Sequence, residues 1–274
     1  MNVVYFGYNL FSSCLPVLEA HGHNIVCIYT GEDGIDTDQI TSFATKKAIP
    51  LHVNRPIADH MEDLVAKGVE LFFSAEYPWR IPIPKRLTYG INLHPTLLPH
   101  GRGPTPLIWL LTKYAEYSGI TLHKMTDKMD EGDILLQQSI GLGQHETFNT
   151  LAAKLYLEAP RLLDRFLAKL DEYYGASVPQ GEGSYWPKVT QQAQTLDWNR
   201  PIAETLRKTQ RFGRLGVYAE IMGKRMLITA AEGSVYEHPP EPGTIALVDN
   251  KQLVIAVADG IIIIPRESLS IIIA

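Results

Sequence analysis

The chain reads as an α/β protein: a Rossmann-like, doubly wound, mostly parallel sheet, followed by a small antiparallel β-barrel at the C-terminal end. Three observations predict this. Short apolar runs alternate with amphipathic helical stretches through the N-terminal part, a long apolar stripe at helical spacing follows Thr147, and from Thr195 onward short strands separated by hairpin turns replace the alternation.

Val3, Val4, Tyr5 and Phe6 before Gly7, a helical stretch at 13–20, and the run Ile25, Val26, Cys27, Ile28, Tyr29 read as strand, helix, strand. Such a parallel pair takes a right-handed crossover. A helix at 38–47, a strand at Leu51, His52 and Val53, a helix at 59–67 and a strand at Leu71, Phe72 and Phe73 continue the pattern. The turn after the first strand reads FGYNLFSS. It lacks the second and third glycines that let a backbone approach a pyrophosphate, which argues against NAD binding.

The loop that follows, with Tyr77, Pro78, Trp79, Arg80 and Ile81, is aromatic and rich in proline. Such walls suit a flat heteroaromatic ligand. Next comes a short apolar run ending in Asn92-Leu93-His94. Asn92 and His94 share one face because side chains alternate along a strand. Pro95 and Pro99 stop that strand, and the loop through Gly101-Arg102-Gly103 lies at its carboxyl end, the edge where open α/β sheets place ligands. Met129-Asp130-Glu131-Gly132-Asp133 puts carboxylates in a tight turn before another apolar run, so amide, imidazole and carboxylate converge on one candidate site.

The stripe Phe148, Leu151, Leu155, Ala159, Leu162, Leu163, Phe166 predicts a core-facing helix, which Pro160 is expected to kink or divide. Residues 175–187 are rich in Gly, Pro and Ser and read as a linker. The expected domains are 1–180, a linker at 181–194, and 195–274.

With 274 residues and 45% hydrophobic content the chain can bury one large core and a smaller second one. A net charge of −5 lacks the footprint of a protein that grips nucleic acid by its phosphates. Cys14 and Cys27 are too few for a disulfide framework and read as buried thiols. No apolar run approaches the roughly 20 residues that span a bilayer, and no secretory signal opens the chain, so a cytoplasmic location without membrane partners is expected.

The order Asn92, His94, Pro95, Leu97-Leu98-Pro99, Arg102-Gly103, Gly119-Ile120-Thr121 and Asp130-Glu131-Gly132-Asp133 resembles the signature of the formyltetrahydrofolate-dependent formyltransferases, with Thr96 where many relatives carry Ser. The resemblance runs from residue 1 to about 264. It implies a catalytic triad of Asn92, His94 and Asp130, a pterin pocket lined by Tyr77, Pro78, Trp79, Arg80 and Ile81, and 10-formyltetrahydrofolate as formyl donor. It also implies a C-terminal barrel of the oligonucleotide-binding type, and leaves a homodimer open.

The chemistry suits these residue types. Formyl transfer to an amine passes through a tetrahedral intermediate with a negative oxygen. Asn92 can donate to that oxygen, His94 can move a proton near neutral pH, and Asp130 can orient the imidazole. Arg102, Thr105 and His123 are candidate acceptor contacts, against the plainer readings of a solvated arginine and a packed histidine. No metal is expected, since the histidines and Asp130 lack a paired-ligand spacing such as HExxH.

The expected acceptor is a small amine, first an amino-sugar nucleotide. The tRNA enzymes of this family carry a long basic insertion after the second strand, and here residues 30–38 read TGEDGIDTD, short and acidic. Methionyl-tRNA, a hydroxyornithine-type amine, and water as acceptor in a 10-formyltetrahydrofolate hydrolase remain as alternatives.

Overall fold

The computed structural model of the protein describes residues 1–32, 36–237 and 239–272. They form two compact units, Met1–Leu142 with Ala152–Pro187, and Gly143–Leu151 with residues 188–274.

In chain order the first unit contains β1 (Asn2–Gly7), α1 (Cys14–Ala20), β2 (Asn24–Tyr29), α2 (Asp38–Lys47), β3 (Leu51–His52), α3 (Ala58–Ala66), β4 (Val69–Ala75) and β5 (Tyr89–His94). There follow β6 (His100–Arg102), α4 (Pro106–Thr112), β7 (Gly119–Lys124), β8 (Ile134–Ser139), most of α5 (Phe148–Leu167), α6 (Leu170–Gly175) and β9 (Ser184–Tyr185). The sheet order is β3-β2-β1-β4-β5-β7-β8. Strands β1 to β5 pair in parallel, and β7 and β8 are antiparallel additions. The order reverses between β1 and β4, so the crevice beyond their carboxyl ends is the expected ligand edge.

Val3, Val4, Tyr5 and Phe6 are all fully buried, as a strand covered on both faces requires. Helix α2 begins at Asp38 and ends in Lys46 and Lys47, charges that oppose its dipole, and it stops at Ala48 in the left-handed conformation.

Helix α5 runs unbroken through Pro160, contrary to the expected division. Proline has no N–H for the carbonyl of Tyr156, one turn earlier, and the Ser13 hydroxyl donates to that oxygen instead at 2.8 Å. Buried Leu155, Ala159, Leu162, Leu163 and Phe166 hold the helix on the core.

Residues 177–187 are not a free linker. Val178 exchanges backbone hydrogen bonds with Ile134, β9 pairs in parallel with β6, and Trp186 is 3% exposed. These residues form a strap that runs from the start of β8 to the loop after β5.

The second unit holds α7 (Gln191–Gln194), α8 (Ile202–Phe212) and seven short strands, β10 (Val217–Ile221), β11 (Lys224–Ile228), β12 (Glu232–Val235), β13 (Ile245–Val248), β14 (Gln252–Val257), β15 (Gly260–Pro265) and β16 (Leu269–Ile271). They make two antiparallel sheets, β10-β11-β16 and β12-β15-β14-β13. Met222 and Gly223, both at positive φ, form the tight turn between β10 and β11. Strands β12 and β16 are short and largely exposed, so no apolar alternation marks them in the sequence.

Candidate active site

Two antiparallel neighbours and one turn build the site. In the β5–β7 register Asn92 lies opposite His123 and His94 opposite Thr121, which puts these four side chains on one sheet face. Asp130 closes the group from the turn between β7 and β8. Its φ of 58° is in the left-handed region, which bends the chain back so that the carboxylate faces the sheet.

Asp130 is 7% exposed and serves as a hub. One carboxylate oxygen accepts the Gly103 N–H at 3.0 Å. The other lies 3.4 Å from Asn92 Nδ2, 3.5 Å from His94 Nδ1 and 3.8 Å from His123 Nε2.

Proton positions follow from the partners. His123 Nδ1 is 2.9 Å from the Lys124 carbonyl, so it carries a hydrogen, and Nε2 then accepts from Asn92 Nδ2 at 2.9 Å. Burial lowers the His123 pKa to about 4, although Asp130 works in the opposite direction, and the ring is neutral near pH 7. A neutral His123 fixes the Asn92 amide with its NH2 inward. His94 Nε2 donates to the Gly101 carbonyl at 2.7 Å, which leaves Nδ1 toward Asp130. Gly101 and Gly103 both have positive φ, and a Cβ on either would strike Trp186.

The remaining expected residues divide. Arg102 stands beside the site, but Nε and Nη2 donate to Gln180 Oε1 at 3.0 and 2.8 Å, and Nη2 also reaches the Gly181 carbonyl. Thr105 precedes α4, and its hydroxyl donates to the Pro187 carbonyl at 3.3 Å. In the aromatic loop Ile81 is 7% exposed and joins the core with Phe6, Tyr29, Met61 and Phe72. Tyr77 packs edge-on against Phe6, and its buried hydroxyl has no hydrogen-bond partner among the described residues. Trp79 meets Tyr77 edge-on and carries the Arg55 guanidinium over its ring at 5.4 Å. Pro78 and Arg80 are exposed, the latter 3.3 Å from Asp127. Among the described residues no group of three or more His, Cys, Asp and Glu side chains is placed to hold a metal ion. No described helix is long and apolar enough to cross a membrane.

Sequence reasoning missed Gln180, whose amide donates to the Asp130 and Gly132 carbonyls at 2.9 and 2.7 Å. No motif surrounds it, and the polar Gly- and Pro-rich run it sits in carries no period.

Comparison with known proteins identifies the family and the fold. Residues 64–167 match the formyl transferase family and residues 188–269 its C-terminal domain. Methionyl-tRNA formyltransferase of Pseudothermotoga lettingae is 26% identical over 97% of this chain and 91% of its own length. That of Coprothermobacter proteolyticus is 28% identical over 89% and 84%. Among solved structures, HypX from Aquifex aeolicus in complex with tetrahydrofolic acid superposes with a TM-score of 0.66 at 19% identity; 96% of this chain spans only 43% of that one. The N-formyltransferase from Helicobacter canadensis, in complex with folinic acid and dTDP-3-aminofucose, gives a TM-score of 0.62 at 15% identity over 96% and 98% of the two chains. With both family regions matched in order along its length, this chain belongs to the formyltransferase family and is an N-formyltransferase.

Proposed function

We propose that the protein transfers the formyl group of 10-formyltetrahydrofolate to the primary amine of a small acceptor, an amino-sugar nucleotide, with Asn92, His94 and Asp130 as the catalytic residues. The observation that carries this reading is the hub: a buried carboxylate within 4 Å of an amide, an imidazole and a second, neutral imidazole.

The amine nitrogen attacks the formyl carbon, and the carbonyl π pair becomes a negative oxygen. Of the two Asn92 Nδ2 protons, one is held by His123 at 2.9 Å, and the other faces Asp130 at the longer 3.4 Å. The longer contact is the one a formyl oxygen displaces. Collapse of the intermediate breaks the bond to N10 of the folate, and the proton lost by the amine is returned to N10. His94 Nδ1 and Asp130 form the path for that proton, because Nε2 is committed to Gly101. Tyr77 and Trp79 supply the aromatic wall for the pterin; Pro78, Arg80 and Ile81 complete the loop.

Two points favour a small acceptor. The segment after β2 keeps its acidic character: Glu32 is exposed, and Asp38 binds Asn9 at the start of α2, while Asp33, Gly34 and Ile35 lie outside the described residues. The Helicobacter enzyme, which was solved with a nucleotide-linked amino sugar, matches over nearly its full length. Methionyl-tRNA is the second reading, favoured by the sequence relatives at 26 and 28% identity. Steady-state assays with 10-formyltetrahydrofolate and dTDP-3-aminofucose, other amino sugars, diamines and methionyl-tRNA decide between them. A formylated small amine is the expected product. Efficient, salt-sensitive formylation of the tRNA, with every small amine refused, overturns the assignment.

A further inference from the structure

Gln180 uses its whole hydrogen-bonding capacity on the two loops of the site. Its carbonyl accepts from Arg102 Nε and Nη2 at 3.0 and 2.8 Å, and its amide donates to the carbonyls of Asp130 and Gly132 at 2.9 and 2.7 Å. The strap that carries it is tied down on both sides. Ser177 Oγ donates to Asp133 and Val178 pairs with Ile134 before it; Ser184 N–H donates to the Pro99 carbonyl and Trp186 N–H to the Arg102 carbonyl after it.

We propose that Gln180 is the positioning residue of the reaction, an amide clamp that holds the left-handed Asp130 turn against β5 and keeps the Arg102 guanidinium beside it. This inference rests on the reading of Asp130 as the group that orients His94. Asp130 is a non-glycine residue at φ 58°, and Gly132 packs so closely that a Cβ would lie 1.8 Å from the Lys124 carbonyl. A turn of this kind persists only where its surroundings define it. The two carbonyls that Gln180 takes belong to it. The same clamp occupies Nε and Nη2 of Arg102, so an anionic ligand reaches that guanidinium through Nη1.

The test compares Gln180→Glu, Gln180→Met and Ser177→Ala. Glutamate keeps an acceptor for Arg102 but aims lone pairs at two carbonyl oxygens, and methionine keeps the length without polar atoms. Ser177→Ala loosens the strap without touching the clamp. With 10-formyltetrahydrofolate and dTDP-3-aminofucose, both Gln180 variants should lower kcat by about 100-fold, with the KM of the donor nearly unchanged. In the ligand-free protein the 15N resonance of His94 Nδ1 should move in both Gln180 variants, as it should in an Asp130→Asn control, and stay in place in Ser177→Ala. The spectrum does not depend on the choice of acceptor. Wild-type kcat and an unmoved His94 resonance in a folded Gln180 variant, with Asp130→Ala inactive, overturn the clamp alone. Full activity of Asp130→Ala removes the underlying reading and the clamp with it.

Discussion

At the scale of single residues, chemistry and stability separate. His94→Ala and Asp130→Ala should each lower kcat by about 10²- to 10⁴-fold, because each removes a proton-handling group rather than a binding contact. Binding of a folate analogue, measured by calorimetry, should be unchanged in both. His123 has a different signature. Folded, it stays neutral down to about pH 4, whereas an exposed histidine takes up its proton near 6.5. Between those values the unfolded chain binds the extra proton, so stability falls as pH drops through this window, by about 3 kcal/mol in full. Above 6.5 both states are neutral and His123 adds no pH dependence. Urea unfolding of wild type and His123→Gln at pH 7 and pH 4.5 measures this: the variant should lose about 2 to 3 kcal/mol less on acidification. The sequence placed Asn92 and His94 on one face, since alternation in a strand is local. It left His123 between ligand contact and packed core, because register with β5 decides which neighbour it meets.

At the scale of elements, α5 illustrates how a local rule is overridden. Proline removes a helical hydrogen bond, and the sequence predicts a kink or a division at Pro160. The bond is replaced by Ser13, the residue before α1, at 2.8 Å, and the apolar stripe supplies the rest. A double-mutant cycle tests this. Ser13→Ala alone should cost about 1 kcal/mol, having left the Tyr156 carbonyl without its donor. In a Pro160→Ala background the new N–H takes that carbonyl, and the same substitution should cost nearly nothing, as read from urea midpoints. An equal cost in both backgrounds would mean that Ser13 acts otherwise. The strap tells a similar story: Gly- and Pro-rich composition marks residues that form no long element, and says nothing about whether they pack.

At the scale of the whole molecule, the alternation of strands and helices, the α5 stripe and the later hairpins were enough to predict a doubly wound sheet followed by antiparallel strands, because each signal repeats within a few residues of itself. The Asn, His and Asp order was legible in the same way, as short motifs whose strand-and-turn setting follows from local alternation and proline. Tertiary structure alone decided that β7 and β8 join the sheet antiparallel, that Asn92 faces His123 across the β5–β7 ladder, and that Gln180 meets Arg102 and Asp130. The physical reason is separation along the chain. Gln180 lies 78 residues from Arg102 and 50 from Asp130, and neither period nor composition carries the register that brings side chains so far apart into hydrogen-bonding distance.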